Sequence, residues 1–262
     1  MTGERARTPS PWGWRAVEKI EKRFCMFDHL AKDGPLLLEA SAEAALNCLT
    51  AQLHQFAESL GNAVDARDST TYNHSWEVAE LSRMLAEAME LSPEQIETVH
   101  LAGHLHDIGK IGVPDAILKK QGRLTADEWL LKKRHPEVGA AILRPIKAFA
   151  SPGGVADMIL FHHERFNGGG YPCGFAGDAI PLGARVIAVV DTLSALLQDR
   201  PYRQGTLFEI AMAEIRRCAG SQFDPAVVLA LETVAARAAD FFAMKGHSRE
   251  AGRRPLLPAQ FR

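Results

Sequence analysis

The adjacent pair His106 and Asp107, followed by IGKIGVPD, limits what this chain can become more than any other stretch. An imidazole beside a carboxylate offers one neutral nitrogen donor and one anionic group that can bridge two cations, a combination suited to borderline-hard divalent metals. By itself the pair is weak evidence, and a helix end with a surface Asp is the better reading of it. The constraint comes from where further donors fall: His74, His135, the doublet His162 and His163, and Asp191. Six donors around a seventh that bridges are enough for two coordination shells. A fold that uses them must carry several distant segments to one point.

Those segments read as helices. After a break at Gly34 and Pro35, apolar residues from Leu38 to Leu60 recur every three or four positions, with Gly61 and Asn62 as a stop. A helix from His74 to Leu91 aligns Val78, Leu81, Leu85 and Met89 in one stripe, with His74 in its first turn. Ser92, Pro93 and Gln95 are the N-cap, first-turn proline and capping-box partner of the next helix, which delivers His106 and Asp107 ahead of Gly109 and Gly112. Thr125 and Glu128 form a second capping box, and Pro136 predicts that His135 lies at a junction outside the helical region.

Residues 136–147 and 153–162 continue the helical pattern. FNGGGYPCGFAG, with five glycines from Gly168 to Gly177, is a loop, and it closely follows the histidine doublet, where glycine lets backbone approach a ligand. ARVIAVVDTLSALL is too long without a turn signal for a strand and is predicted helical. That puts Asp191 inside an apolar helix, a costly place for an acid unless it is paired or bound to a cation. Asp224 and Pro225 open a last helix, and the tail from Gly246 is basic. The expected fold class is all-α.

Composition narrows the chemistry. A net charge of -2 over 262 residues gives no general basic field, so long nucleic acid is not an expected partner and any phosphate affinity must be local. Cys25, Cys48, Cys173 and Cys218 form no CxxC pair, which argues against a disulfide frame or a thiolate metal site and for a reducing cytoplasm. No signal peptide is evident, and no apolar run nears the ~18 residues of a membrane span. The expected location is cytoplasmic, without membrane.

Imidazole and carboxylate donors suit iron, manganese, cobalt, nickel or zinc. Two such ions about 3.5 to 4 Å apart on a shared carboxylate hold a bridging hydroxide and stabilise the attacking and leaving oxygens at phosphorus. Phosphoester hydrolysis is the chemistry this predicts. Lys110, three residues after Asp107, is placed to contact phosphate, and Arg200 and Arg203 of DRPYR can clamp its oxygens.

HDIGKIGVPDAIL, HPEVGAAIL, HHERFNGGGYPCGFAGDAIPLGARVIAVVD, DRPYR and GSQFDP, in unbroken order, resemble the HD-GYP family of bacterial HD-superfamily phosphohydrolases, which hydrolyse cyclic di-GMP. The resemblance implies an HD-superfamily helical bundle with a glycine-rich GYP loop, preceded here by a short helical N-terminal extension. It implies that His74, His106, Asp107 and Asp191 hold one metal ion, and Asp107, His135, His162 and His163 the other, with iron or manganese as the usual metals. It implies that Lys110, Arg200 and Arg203 contact the substrate phosphates, and that Gly170, Tyr171 and Pro172 form the namesake loop and a substrate contact. The implied activity is hydrolysis of cyclic di-GMP to pGpG, and onward to GMP, with Asp107 and Lys110 as catalytic residues.

Departures qualify the match. Thr70 stands where three-metal relatives carry Glu, so two metals are expected. Glu77 stands where the family often has Arg, Asn167 for a frequent Asp, and Ser194 for a second acid. Ser194 and Glu77 motivate an alternative, a weakly active or inactive regulatory module; another is an HD hydrolase of a different nucleotide. The domain reading is residues 1–60 as N-terminal arm and helical extension, 61–235 as the phosphohydrolase domain and 236–262 as tail. A signalling partner would engage the N-terminal region, with its Trp12 and Trp14, or the GYP loop, and a homodimer is compatible with both. His100 and His104 are expected to be core or surface residues, and His29, His54 and His247 receive no role.

Overall fold

The computed structural model describes residues 35–68, 73–199 and 204–251, with side chains from 48 to 244. The chain divides into two units, Met1–Leu53 and His54–Arg262, and the candidate site lies within the second. Among the described residues the secondary structure is helical without a strand: α1 (Pro35–Arg67), α2 (His74–Ala88), α3 (Pro93–Leu105), α4 (Asp115–Leu118), α5 (Ala126–Lys132), α6 (His135–Leu143), α7 (Val155–Phe161), α8 (Leu182–Leu197), α9 (Phe208–Arg217), α10 (Pro225–Thr233) and α11 (Ala235–Ala251). Short 3-10 turns cover Ile108–Gly112, Lys147–Phe149 and Gly177–Ala179.

Local chemistry sets most starts. Ser92 accepts from Gln95 N, and the Gln95 side chain returns to Ser92 N, closing the capping box of α3. Thr125 and Glu128 do the same for α5, and Asp224 caps α10 through Ala226 N. Each such cap contributes about 1 kcal/mol.

The core forms where α2 meets α3 and α8, joined by α7, α9 and α10. Leu81, Leu85, Leu105, Ile159, Ile187, Leu193, Met212, Ile215 and Leu231 are fully buried there. Truncating one of these leucines to Ala costs about 2 to 5 kcal/mol. This packing makes α2, α3, α7 and α8 a rigid frame, and those helices carry the donors at their ends or on inward faces.

Three boundaries differ from the sequence reading, and one helix is added to it. Gly61 and Asn62 do not stop α1, which runs on to Arg67, so the boundary expected at 60/61 falls inside a helix. A Cβ on Gly61 would stand 2.6 Å from His104 O and 2.9 Å from Ser75 Cβ. The glycine is there for close helix approach rather than as a breaker. His135 is the first residue of α6 instead of lying outside it, because Pro136 in a first turn forfeits no hydrogen bond. The tail expected from 236 is instead α11, whose Ala238 is buried and whose Phe241 stacks on Trp76 with centroids 5.2 Å apart. Helix α9, unread in the sequence, buries Ala211, Met212 and Ile215. Trp12, Trp14, His29, Thr70, Arg200 and Arg203 lie outside the described residues.

Candidate metal centre

His74 opens α2, His106 caps the C-terminus of α3, and Asp107 leads the 3-10 turn behind it. His135 opens α6, His162 and His163 follow α7, and Asp191 sits in mid α8. Sites separated by up to 117 residues thereby meet. The donor atoms of His74, His106 and Asp191 lie within 4.8 Å of one another, as do those of His135, His162 and His163.

Asp107 joins the two groups. Its Oδ2 is 3.2 Å from His106 Nε2, and its Oδ1 is 3.3 Å from His135 Nε2. One carboxylate therefore presents one oxygen to each triad, the arrangement that a bridging ligand requires.

The protonation of the rings follows from the backbone. Nδ1 of His106 donates to Gly103 O at 2.8 Å, Nδ1 of His135 to Lys132 O at 2.9 Å, and Nδ1 of His162 to Ile159 O at 2.6 Å. In each case the acceptor is the carbonyl three residues earlier, so the local helical or turn geometry fixes the tautomer. The Nε2 lone pair is then left bare, and Nε2 of all three rings is buried without a hydrogen-bond partner. Three orphaned acceptors packed side by side would cost several kcal/mol unless a cation takes them up. The donor set thus fits divalent metal ions.

Charge points the same way. Burial opposes ionisation of Asp107, but the Lys110 ammonium and His106 outweigh it and hold the carboxyl well below its usual range. Asp191 is likewise held low against burial, through His74. Burial disfavours the charged form of His106, yet Asp107 and Asp191 bring it up to about 9, so without metal a proton takes Nε2, the place that a cation would otherwise fill. His162 and His163 are driven down by burial and by their histidine neighbours, His163 to about 3, and stay neutral as ligands must.

The family model described as HD domain matches residues 57–227. Over 201 residues the chain is 37% identical to the cyclic di-GMP phosphodiesterase response regulator RpfG of Xanthomonas campestris, covering 76% of this chain and 53% of that protein. This chain belongs to the HD-domain family, in its HD-GYP form. It is also 39% identical over 152 residues to 3'3'-cGAMP-specific phosphodiesterase 1 of Vibrio cholerae, covering 58% of this chain and 35% of the relative. The crystal structure of a Vibrio cholerae cyclic GMP-AMP specific phosphodiesterase, V-cGAP3, shares the fold with a TM-score of 0.58 at 21% identity, over 79% of this chain and 54% of that one. The HD-GYP chain spans about half the length of the curated relatives it matches.

Two of the departures from the HD-GYP pattern, Glu77 and Ser194, meet in space. Ser194 Oγ donates to Glu77 Oε2 at 2.6 Å and lies 3.0 Å from His74 Nδ1, while Gln198 Nε2 donates to the same Glu77 oxygen at 2.7 Å. The hydroxyl's single proton goes to the carboxylate, so Ser194 Oγ accepts from His74 Nδ1, and the Nε2 lone pair faces Asp191 Oδ1 at 3.1 Å, two acceptors that a cation can join. Glu77 on α2 thereby places a carboxylate next to position 194 on α8, where the family pattern has an acid. Sequence reading treated these as separate losses because α2 and α8 meet only in three dimensions.

Lys110 Nζ is 2.7 Å from Asp107 Oδ2 and 3.0 Å from Asp68 Oδ2. Its ammonium is half committed to balancing buried acids, with burial opposed by Asp107 and Asp68 in holding the proton on. Asp68 was missed as a site residue. So was Arg67, which donates to Lys110 O and Val113 O at 2.6 Å each and pairs with Asp115, pinning the turn after Asp107. Arg67 ends a long helix and Asp68 follows it, with no motif to mark either.

The GYP loop is held rather than free. Glu164 Oε1 accepts from Cys173 N at 2.7 Å and Gly174 N at 2.9 Å, and Tyr171 N donates to His163 O at 3.2 Å. A Cβ on Gly170 would meet Arg165 N at 2.3 Å, so this glycine permits approach to the loop's own base, not to a ligand. Pro172 follows Tyr171 within the same partly buried loop. The Tyr171 ring lies 5.0 Å from His163 and 4.8 Å from Lys133 Nζ, roofing the second triad.

Proposed function

We propose that this chain is a divalent-metal phosphodiesterase that opens cyclic di-GMP to linear pGpG, with GMP as the product of a second cut. The observation that carries this reading is the set of three bare, buried Nε2 atoms around a carboxylate that faces both triads. His74, His106, Asp107 and Asp191 would hold one ion, and Asp107, His135, His162 and His163 the other, with iron or manganese as the first choices. Ions so held supply Lewis acidity toward a phosphoryl oxygen and acidify water at neutral pH.

The chain's own groups do the rest. Asp107 fixes the spacing of the two triads. Lys110, beside it, offers an ammonium hydrogen to a phosphate oxygen on which negative charge grows. Tyr171 supplies a ring against which a guanine can stack, and Arg200 and Arg203 are assigned to the phosphates. The catalytic part is residues 61–235 with the end of α1, and a cytoplasmic location accords with a cyclic dinucleotide substrate.

The 39% identity to a protein named 3'3'-cGAMP-specific favours a second substrate reading, a mixed cyclic dinucleotide. Full-length chain reconstituted anaerobically with iron or manganese should convert cyclic di-GMP to pGpG by chromatography, and faster than 3'3'-cGAMP. Cleavage of cGAMP alone would move the substrate, and no cleavage of either would leave a regulatory module.

A further inference from the structure

A second group of histidines lies away from the metal centre, where α1, α2 and α3 come together. His54 of α1 stacks on His100 of α3 with centroids 4.8 Å apart, and His100 stands 4.9 Å from His104. His54 Nε2 is 2.5 Å from Glu97 Oε2, and His100 Nε2 is 3.1 Å from Glu80 Oε1 on α2. Glu97 and His100 are three apart on α3, hence on one face. The donor atoms of His54, Glu97 and His100 all lie within 4.8 Å of one another.

Hydrogen bonding to Glu80 accounts for His100 but leaves His54 unexplained. Neither ring nitrogen of His54 has a hydrogen-bond partner, although both are buried, and Nδ1 of His104 is in the same condition. The short approach of His54 Nε2 to Glu97 lacks the alignment of an N–H donor on its acceptor. Burial, and then the neighbouring His100, lower the pKa of His54, which favours the neutral ring with a lone pair available. A buried imidazole whose two nitrogens lack hydrogen-bond partners, with a carboxylate and a second imidazole converging within 4.8 Å, has the geometry of a ligand set.

We propose that His54, Glu97 and His100 form a peripheral site for one divalent transition-metal ion of the zinc type. Three N and O donors make a tetrahedral shell with a fourth position for Glu80 or water. Two imidazoles select against magnesium and calcium, which take oxygen ligands. Glu97 is half exposed, so the ion exchanges with solvent, unlike one held in the buried centre. Occupied, the site ties the C-terminal part of α1 to α3, the helix that ends in His106 and Asp107, and so braces the approach to the catalytic helix. The proposal does not depend on phosphodiesterase activity.

The test is zinc stoichiometry on metal-stripped full-length protein, by competition with a chromogenic chelator. Wild type should bind one more equivalent than the His54→Gln/His100→Gln variant, with helix content by circular dichroism unchanged. Glu97→Gln, a change at a half-exposed position that leaves folding intact, should weaken that equivalent by about tenfold or more, the size that even an outer partner of a ligand commands. In an Asp107→Ala background zinc should still raise the melting temperature, and adding His54→Gln should abolish the rise. Equal stoichiometry and affinity in wild type, Glu97→Gln and the double variant would overturn the site. None of these readouts involves hydrolysis, so this failure is distinct from failure of the proposed enzyme.

Discussion

The two histidine clusters use the same residue types and are oriented by different physics. In the central one, His106, His135 and His162 each turn Nδ1 onto the carbonyl three residues back, so backbone sets which nitrogen is free. In the peripheral one no ring is anchored to backbone in this way; His100 leans on Glu80, and His54 is held only by packing and Glu97. A tautomer fixed by the main chain costs little additional ordering when a ligand arrives. One fixed by side chains must be ordered at that moment, and the central site should therefore hold metal more tightly.

The sharpest way to break this contrast is Asp107→Ala. Because its two oxygens serve both triads, elemental analysis should find both central ions lost or depleted, and turnover should fall by about a thousandfold or more, about 4 kcal/mol of transition-state stabilisation. Retention of full metal content and rate would remove the bridging role.

Next in size is Gly109→Ala, which acts on the frame of the centre alone. The new Cβ would stand 1.8 Å from His135 O, so the turn carrying Asp107 and the start of α6 must separate. Urea denaturation should register a loss of about 3 kcal/mol, together with weaker central metal binding; an unchanged midpoint would show that the turn is looser than its packing implies.

Ser194→Asp should lower activity by about tenfold to a hundredfold, because it sets a second carboxylate against Glu77 beside His74. Combining it with Glu77→Arg should recover most of the loss. A gain from Ser194→Asp alone would mean that Glu77 does not stand in for the missing acid.

The pH dependence of the metal-free chain separates the rings by environment. His163 and His104 are held near about 3 and about 4 by burial, against ~6.5 when unfolded, so the unfolded state takes up protons that the fold refuses. Stability should fall as pH drops from ~6.5 toward 4, by up to ~1.4 kcal/mol per unit for each such group. His106 acts oppositely: its folded value near about 9 gives stabilisation that is complete below ~6.5 and lost as pH rises through 9. Urea midpoints should therefore peak near pH 6.5, and a flat profile from 6.5 to 4.5 would contradict the burial assigned to His163 and His104.

The smallest effect is expected at the periphery. His54→Gln should leave turnover within about twofold under saturating metal, since no part of it reaches the central triads. A large loss would merge the two clusters into one functional unit.

What the sequence determined was local: the caps at Ser92, Thr125 and Asp224, the helical course of the segment around Asp191, and the chemical identity of the seven central donors. Those follow from interactions spanning one to four residues or from the residues themselves. Tertiary structure alone decided that Glu77 meets Ser194 of another helix, that Asp68 shares Lys110, that Gly61 is a contact rather than a stop, and that His54 joins His100. Each of these depends on which faces of separate helices meet, and side-chain periodicity marks a buried face without naming its partner.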